Sequence, residues 1–103
     1  MTIDTIRTIP QKMRGNPLLE TAVRILKSAG SLEVYVFGSA AHGDIGLAND
    51  IDIAVTGLAP ERFFKVMGQM QMAIYKQIDL IDLDEDNAFT RYLKDENELV
   101  RIG

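Results

Sequence analysis

The chain has 103 residues, a formal net charge of −4 and 47% hydrophobic residues, so we expect one small domain spanning residues 1–103. It has no cysteine and one histidine, which excludes a disulfide framework, a thiol nucleophile and a thiolate or multi-histidine zinc site. The acidic balance gives no basic footprint for nonspecific binding to nucleic acid, so nucleic acid is an unexpected partner. Without a long apolar stretch or a signal-like N-terminus, we expect a soluble, intracellular protein with no membrane partner.

Residues 1–15 show no clear period and carry Arg7, Lys12 and Arg14, so we expect a flexible arm or a docking segment there. Asn16 followed by proline is typical of a helix start, with the asparagine as cap. An apolar face then runs to just before Gly30, made by Leu18, Leu19, Ala22, Val23 and Leu26. This segment predicts a packing helix.

The next segment predicts a strand, a turn and a second strand. Val34, Val36 and Phe37 lead into a Gly38–Ser39 turn, and an apolar run at 51–55 follows it. Because strand side chains alternate between faces, Asp50 and Asp52 are expected side by side, with the intervening isoleucines in the core.

A second helix is predicted to start near Pro60, because Phe63, Met67, Met70 and Ile74 recur at spacings of three and four. A strand at 77–83, a short polar helix at 87–97 and a final strand at 99–102 complete the chain. This order predicts an α/β (α+β) fold, a small mixed sheet flanked by helices. The basic side chains Arg62, Lys65 and Lys76 are candidates for phosphate contacts, although such residues are usually solvated.

Two neighbouring carboxylates repel each other unless a cation neutralises them, and their oxygens suit Mg²⁺ or Mn²⁺. The strand at 77–83 carries two further acids on opposite faces, and alternation alone does not choose between them. We favour Asp79 as the third ligand, because Asp82 lies nearer an acidic stretch where a loop or a helix cap explains it. The predicted metal ligands are therefore Asp50, Asp52 and Asp79.

Gly38–Ser39, the Asp50-Ile51-Asp52 run ten residues later, and Asp79 on a further strand together resemble a known family. The chain is similar to the minimal nucleotidyltransferases of the DNA polymerase β-like superfamily, from about Leu19 onward. The resemblance implies the polymerase β-like nucleotidyltransferase fold. It also implies that Asp50, Asp52 and Asp79 are catalytic residues.

In this family reading, Gly38, Ser39 and His42 contact the nucleotide, and Asp79 helps to activate the attacking hydroxyl. The resemblance implies transfer of AMP from ATP to a hydroxyl group with Mg²⁺ or Mn²⁺ as cofactor. Minimal nucleotidyltransferases commonly pair with a small helical HEPN-type protein, which makes a protein adenylyltransferase acting as the antitoxin of a toxin–antitoxin pair the leading expectation. The nucleotide requirement favours the cytoplasm.

The sequence departs from the family pattern in the loop after the turn. Many relatives have arginine at the positions of Ala40 and His42, and serine at that of Asn49. Fixed positive charge beside the triphosphate is therefore lost, and we expect weaker nucleotide binding. An alternative reading is a non-catalytic nucleotide-binding antitoxin or complex subunit that acts by contact.

Overall fold

Three α-helices and four strands lie in residues 16–38, 41 and 50–103, the part of the chain that the computed structural model describes. The elements are α1 (Pro17–Ser28), β1 (Glu33–Phe37), β2 (Asp50–Thr56), α2 (Phe63–Ala73), β3 (Gln77–Asp82), α3 (Ala88–Asp95) and β4 (Val100–Arg101). The α+β prediction is confirmed. The expected arm at 1–15 lies outside the described residues.

The first helix starts where the sequence predicts it. The Asn16 side chain accepts hydrogen bonds from the backbone N–H groups of Leu18 and Leu19, at 2.9 and 3.3 Å. These groups have no partner within the helix, so the cap satisfies them. Leu19, Ala22 and Leu26 are buried against the sheet, which confirms the apolar face.

The second helix begins three residues later than its proline. Pro60–Arg62 forms a 3₁₀ turn, and regular helix starts at Phe63. Val66 and Met70 are its buried residues, and Ile74 is buried just beyond its end. The helix connects two parallel strands, which cannot be joined by a tight turn.

The strands form one sheet in the order β3-β2-β1-β4. Strand β1 is antiparallel to both β2 and β4, whereas β2 and β3 are parallel. Both of the predicted C-terminal elements are shorter than expected. Asn97 adopts a left-handed φ of 56° two residues after α3, which ends that helix, and the final strand is limited to Val100–Arg101.

Each face of the sheet packs on its own helices. On one face, which we call the α1–α2 face, Val34, Val36, Ile51, Ile53 and Ile78 pack against α1 and α2. On the other, the α3 face, Tyr35, Phe37 and Ala54 pack with Leu83, Leu93 and Leu99. Because side chains alternate along a strand, Asp50, Asp52 and Asp79 belong to the α3 face.

Two glycines allow a stability test with opposite expected signs. Gly57 has a φ of +76°, and a Cβ there would lie 2.5 Å from Leu32 Cγ, whereas a Cβ at Gly68 in α2 would meet nothing within 4 Å. Gly57→Ala should therefore lower the free energy of unfolding by about 1–3 kcal/mol. Gly68→Ala should raise it by about 0.5–1 kcal/mol, as expected for alanine inside a helix. Urea denaturation of both variants measures this, and equal effects at the two positions would contradict it.

Candidate active site

Three acidic side chains lie on one face of the sheet, near the start of β2 and in β3 beside it. Asp50 and Asp52 lie two residues apart on β2, and the parallel register pairs Asp52 with Asp79 on β3. Partners in register share a face of the sheet, so the three carboxylates project to the same side. The structure therefore brings together the three acids that the sequence analysis selected.

Asp52 is the least exposed of the three. It is half-buried, whereas Asp50 and Asp79 are exposed. Burial raises the pKa of Asp52 above its ordinary value, and the charge and hydrogen bond of Asp79 and the charge of Asp50 raise it further. Burial disfavours an ionised carboxylate, and so do like charges nearby. A cation at this position would reverse the electrostatic part of that penalty.

Gly38 brings the backbone directly against the Asp52 carboxylate. It ends β1 with a left-handed φ of +69°, and a Cβ at this position would overlap an Asp52 carboxylate oxygen. Glycine is therefore required for two reasons: the left-handed φ of the turn and the close approach of the backbone to the Asp52 carboxylate. Ser39 and His42, the other predicted nucleotide contacts, lie outside the described residues.

The donor chemistry fits a hard divalent cation. In residues 16–38, 41 and 50–103, no three acidic or histidine side chains converge closely enough to enclose one metal ion. Magnesium usually needs only one or two protein carboxylates, because water and substrate phosphates complete its shell. The Asp52–Asp79 pair with Asp50 alongside meets that requirement and lacks the soft ligands of a zinc site.

The sheet separates Asp82, Arg62 and Lys65 from this site, but not Lys76. Asp82 is in register with Val55 on the α1–α2 face, and its carboxylate accepts a hydrogen bond from the Asp84 N–H at 2.9 Å. Arg62 and Lys65 line a groove between α1 and α2, on the opposite side from the acids. Lys76 directly precedes β3, at the end where Asp50 begins β2.

An aromatic pair beside the acids escaped the sequence analysis. Phe37 is the β1 partner of Asp52, and its ring contacts that of Phe89 edge to face, with 5.9 Å between the ring centres. Phe89 belongs to α3 and remains 46% exposed. Phe89 is visible in the sequence as an apolar residue at the start of a polar helix. Its contact with Phe37 depends on how α3 packs on the sheet, which the sequence pattern does not show.

Comparison with known protein families identifies this arrangement. Residues 20–101 match the family described as Polymerase beta, Nucleotidyltransferase, which covers most of the chain. The chain belongs to the polymerase β nucleotidyltransferase family. The resemblance and the nucleotidyltransferase class inferred from the sequence are thereby confirmed.

Solved structures of this nucleotidyltransferase fold include toxin–antitoxin complexes. One, solved with AMP-PNP, has 21% identity and a TM-score of 0.64, covering 81% of this chain and 70% of the other. A tri-AMPylated Shewanella oneidensis HEPN toxin in complex with MNT antitoxin has 19% identity and a TM-score of 0.60, covering 82% and 67%. An MntA-HepT toxin–antitoxin structure has 18% identity and a TM-score of 0.59, covering 82% and 68%. At these identities the likeness concerns the fold.

A comparison with curated proteins finds no significant match to this nucleotidyltransferase chain. Among the described helices, none has the length and apolar character needed to cross a membrane.

The raised pKa of Asp52 has a consequence for stability. The native state holds the Asp52 proton more tightly than the unfolded chain, so stability falls as the pH rises from the ordinary value of 3.8 through the raised value. At pH 7 without metal, Asp52→Asn should therefore raise the free energy of unfolding. The gain should shrink as the pH falls toward 3.8.

Urea denaturation in EDTA at several pH values tests this prediction. Asp82→Asn is the matched control, because it removes a carboxylate on the other face that accepts a hydrogen bond from the Asp84 backbone. The control should bring no gain. If Asp52→Asn were no more stable than Asp82→Asn at pH 7, burial and repulsion at Asp52 would not destabilise the native state.

Proposed function

We propose that this chain transfers AMP from ATP to a hydroxyl group on a small helical HEPN-type protein, and thereby acts as the antitoxin of a toxin–antitoxin pair. The observation that carries the proposal is the register pairing of Asp52 with Asp79, which joins both to Asp50 on one face. Membership of the nucleotidyltransferase family supports the reaction class.

The nucleotide and the acceptor are supported by the neighbouring folds. One toxin–antitoxin structure contains the ATP analogue AMP-PNP, and another contains a HEPN toxin carrying AMP groups. The AMP groups in that neighbouring complex are on the toxin, which favours a partner protein as the source of the hydroxyl. The exposure of Asp50 and Asp79 leaves the site open to such a partner.

In the proposed reaction, the acceptor hydroxyl attacks the α-phosphorus of ATP. A new oxygen–phosphorus bond forms, the bond between the α-phosphorus and the bridging oxygen breaks, and pyrophosphate leaves. Asp79 accepts a hydrogen bond from the hydroxyl and helps to remove its proton. Gly38, with its close approach to Asp52, and the adjoining Ser39 and His42 would contact the phosphates.

Asp50 and Asp52, with Asp79 completing the set, would hold Mg²⁺ or Mn²⁺. A bound divalent cation would supply charge stabilisation for the attacking and leaving oxygens. The three carboxylates alone would repel a triphosphate, because they place negative charge where the substrate carries its own. The acidic cluster would therefore favour triphosphate binding when a cation is bound and oppose it when no cation is bound.

The decisive substitution is Asp50→Asn with Asp52→Asn. It preserves side-chain size and removes two charges, so AMP transfer should fall by about 1,000-fold or more. The assay combines this chain, the candidate acceptor, Mg²⁺ and ATP labelled at either the α or the γ phosphate, with intact mass as the readout. Asp82→Asn, on the opposite face, should retain full transfer.

Label from the α position together with a mass gain of AMP supports the proposal, whereas γ label on the acceptor would contradict it. Neutralisation of the toxin by the double variant with undiminished potency would favour the alternative, an antitoxin that acts by contact. The loss of arginine at Ala40 and His42 is the sequence feature that favours that alternative.

Metal dependence has a separate expected outcome. EDTA should abolish AMP transfer, and excess Mg²⁺ or Mn²⁺ should restore it. In thermal denaturation, Mg²⁺ with a non-hydrolysable ATP analogue should raise the Tm of the wild type and leave that of Asp50→Asn/Asp52→Asn unchanged. An equal rise in both proteins would show that the cation binds elsewhere.

A further inference from the structure

The outer side of α2 exposes large apolar side chains. Phe64 and Met72 are 89% and 92% exposed, and Gly68 lies between them on the same side of the helix. Tyr75, just after the buried Ile74, points away from the core and is 85% exposed. Large apolar side chains exposed along one side of a helix are candidates for an interaction site.

A basic groove adjoins this apolar strip. The groove, of about 610 Å³, lies between α1 and α2 and is lined by three basic side chains, those of Arg24, Arg62 and Lys65, and by no acidic one. Arg62 donates a hydrogen bond to the Ala29 carbonyl at 2.8 Å, which fixes it at the end of α1. A groove lined by three basic side chains stands out on a chain whose net charge is −4.

The strip and the groove lie next to each other around α2. Lys65 and Gln69, which line the groove, are the next positions around α2 from Phe64 and Met72, on the side toward α1. We call the apolar strip (Phe64, Gly68, Met72, Tyr75) and the basic groove (Arg24, Arg62, Lys65) together the α2 surface. It belongs to the α1–α2 side of the sheet, opposite Asp50, Asp52 and Asp79.

We infer that the α2 surface docks an amphipathic helix of a partner protein, with acidic side chains flanking the apolar side of that helix. The strip from Phe64 to Tyr75 has the length of about three helical turns, which suits helix-in-groove recognition. Gly68 has open space around it, so a partner helix can approach the α2 backbone closely. The cations beside the strip select acidic flanks.

This chain could itself cover the α2 surface, either with a second copy or with its first 15 residues, but the charges disfavour both. A two-fold dimer through the α2 surface would place Arg24, Arg62 and Lys65 near their own copies, which is repulsive. The first 15 residues carry three basic side chains against one acid, Asp4, so they are like-charged with the groove. An acidic partner helix has neither disadvantage.

The probe for this surface is the acceptor protein of the AMP-transfer assay, so the choice of probe rests on the proposed function. Binding to immobilised acceptor is measured in EDTA without nucleotide, so that catalysis plays no part. Phe64→Ser/Met72→Ser/Tyr75→Ser should weaken binding by about 100-fold, because exposed aromatic anchors carry much of an interface's affinity. Arg24→Gln/Lys65→Gln should weaken it by about tenfold and reduce its salt dependence.

Tyr92→Ser with Arg91→Gln is the matched control. Both residues are exposed on α3, so the control removes an aromatic and a cation from the other side of the molecule. It should bind within about twofold of the wild type. Thermal melts of all variants should remain cooperative, since every substituted side chain is exposed.

Several results would overturn the inference. One is a wild type that does not bind the acceptor, and another is a set of α2-surface variants that bind it as tightly as the wild type does. A third such result is a wild type that is dimeric without the acceptor and a triple variant that is monomeric, since the α2 surface would then be a dimer interface. Binding without AMP transfer would refute the proposed function and leave the docking surface intact. AMP transfer together with wild-type affinity of the triple variant for the immobilised acceptor would refute the docking surface alone.

Discussion

The parallel pairing of β2 with β3 is the constraint on which the site depends. Its register sets Asp52 opposite Asp79, and the same register sets Ile51 opposite Ile78 and Ile53 opposite Leu80 on the other face. A slip of β3 by one residue would turn Asp79 toward α1 and α2 and Ile78 toward α3. Burial of the apolar partners therefore holds the carboxylates together against their own repulsion.

Much of this arrangement follows from local sequence. The Asn16 cap, the apolar periods of α1 and α2, and the alternation in 50–55 involve neighbours along the chain, so pattern alone predicts them. Alternation alone does not distinguish Asp79 from Asp82, because each acid shares a face of the strand with apolar residues. The cross-strand register decides which of them faces Asp52.

Other features depend on tertiary packing that no local pattern contains. From the sequence alone, Arg62 and Lys65 are candidates for phosphate contacts. The structure places both on the side of the sheet opposite the acids. The Phe37–Phe89 contact joins residues far apart in the chain, and the groove between α1 and α2 exists only because the two helices pack side by side. The sheet thus separates the side that carries Asp50, Asp52 and Asp79 from the side that carries the basic groove.

The position of β3 at the border of the described sheet has a further consequence. An outer strand offers unpaired backbone groups that can add a strand from another chain, and charged residues along such a strand oppose that addition. Asp79 and Asp82 put negative charge on both sides of β3, in the apolar context of Ile78, Leu80 and Ile81. Asp79, which the proposed function places in the reaction, would then also oppose edge-to-edge aggregation, and its replacement would reduce solubility as well as AMP transfer.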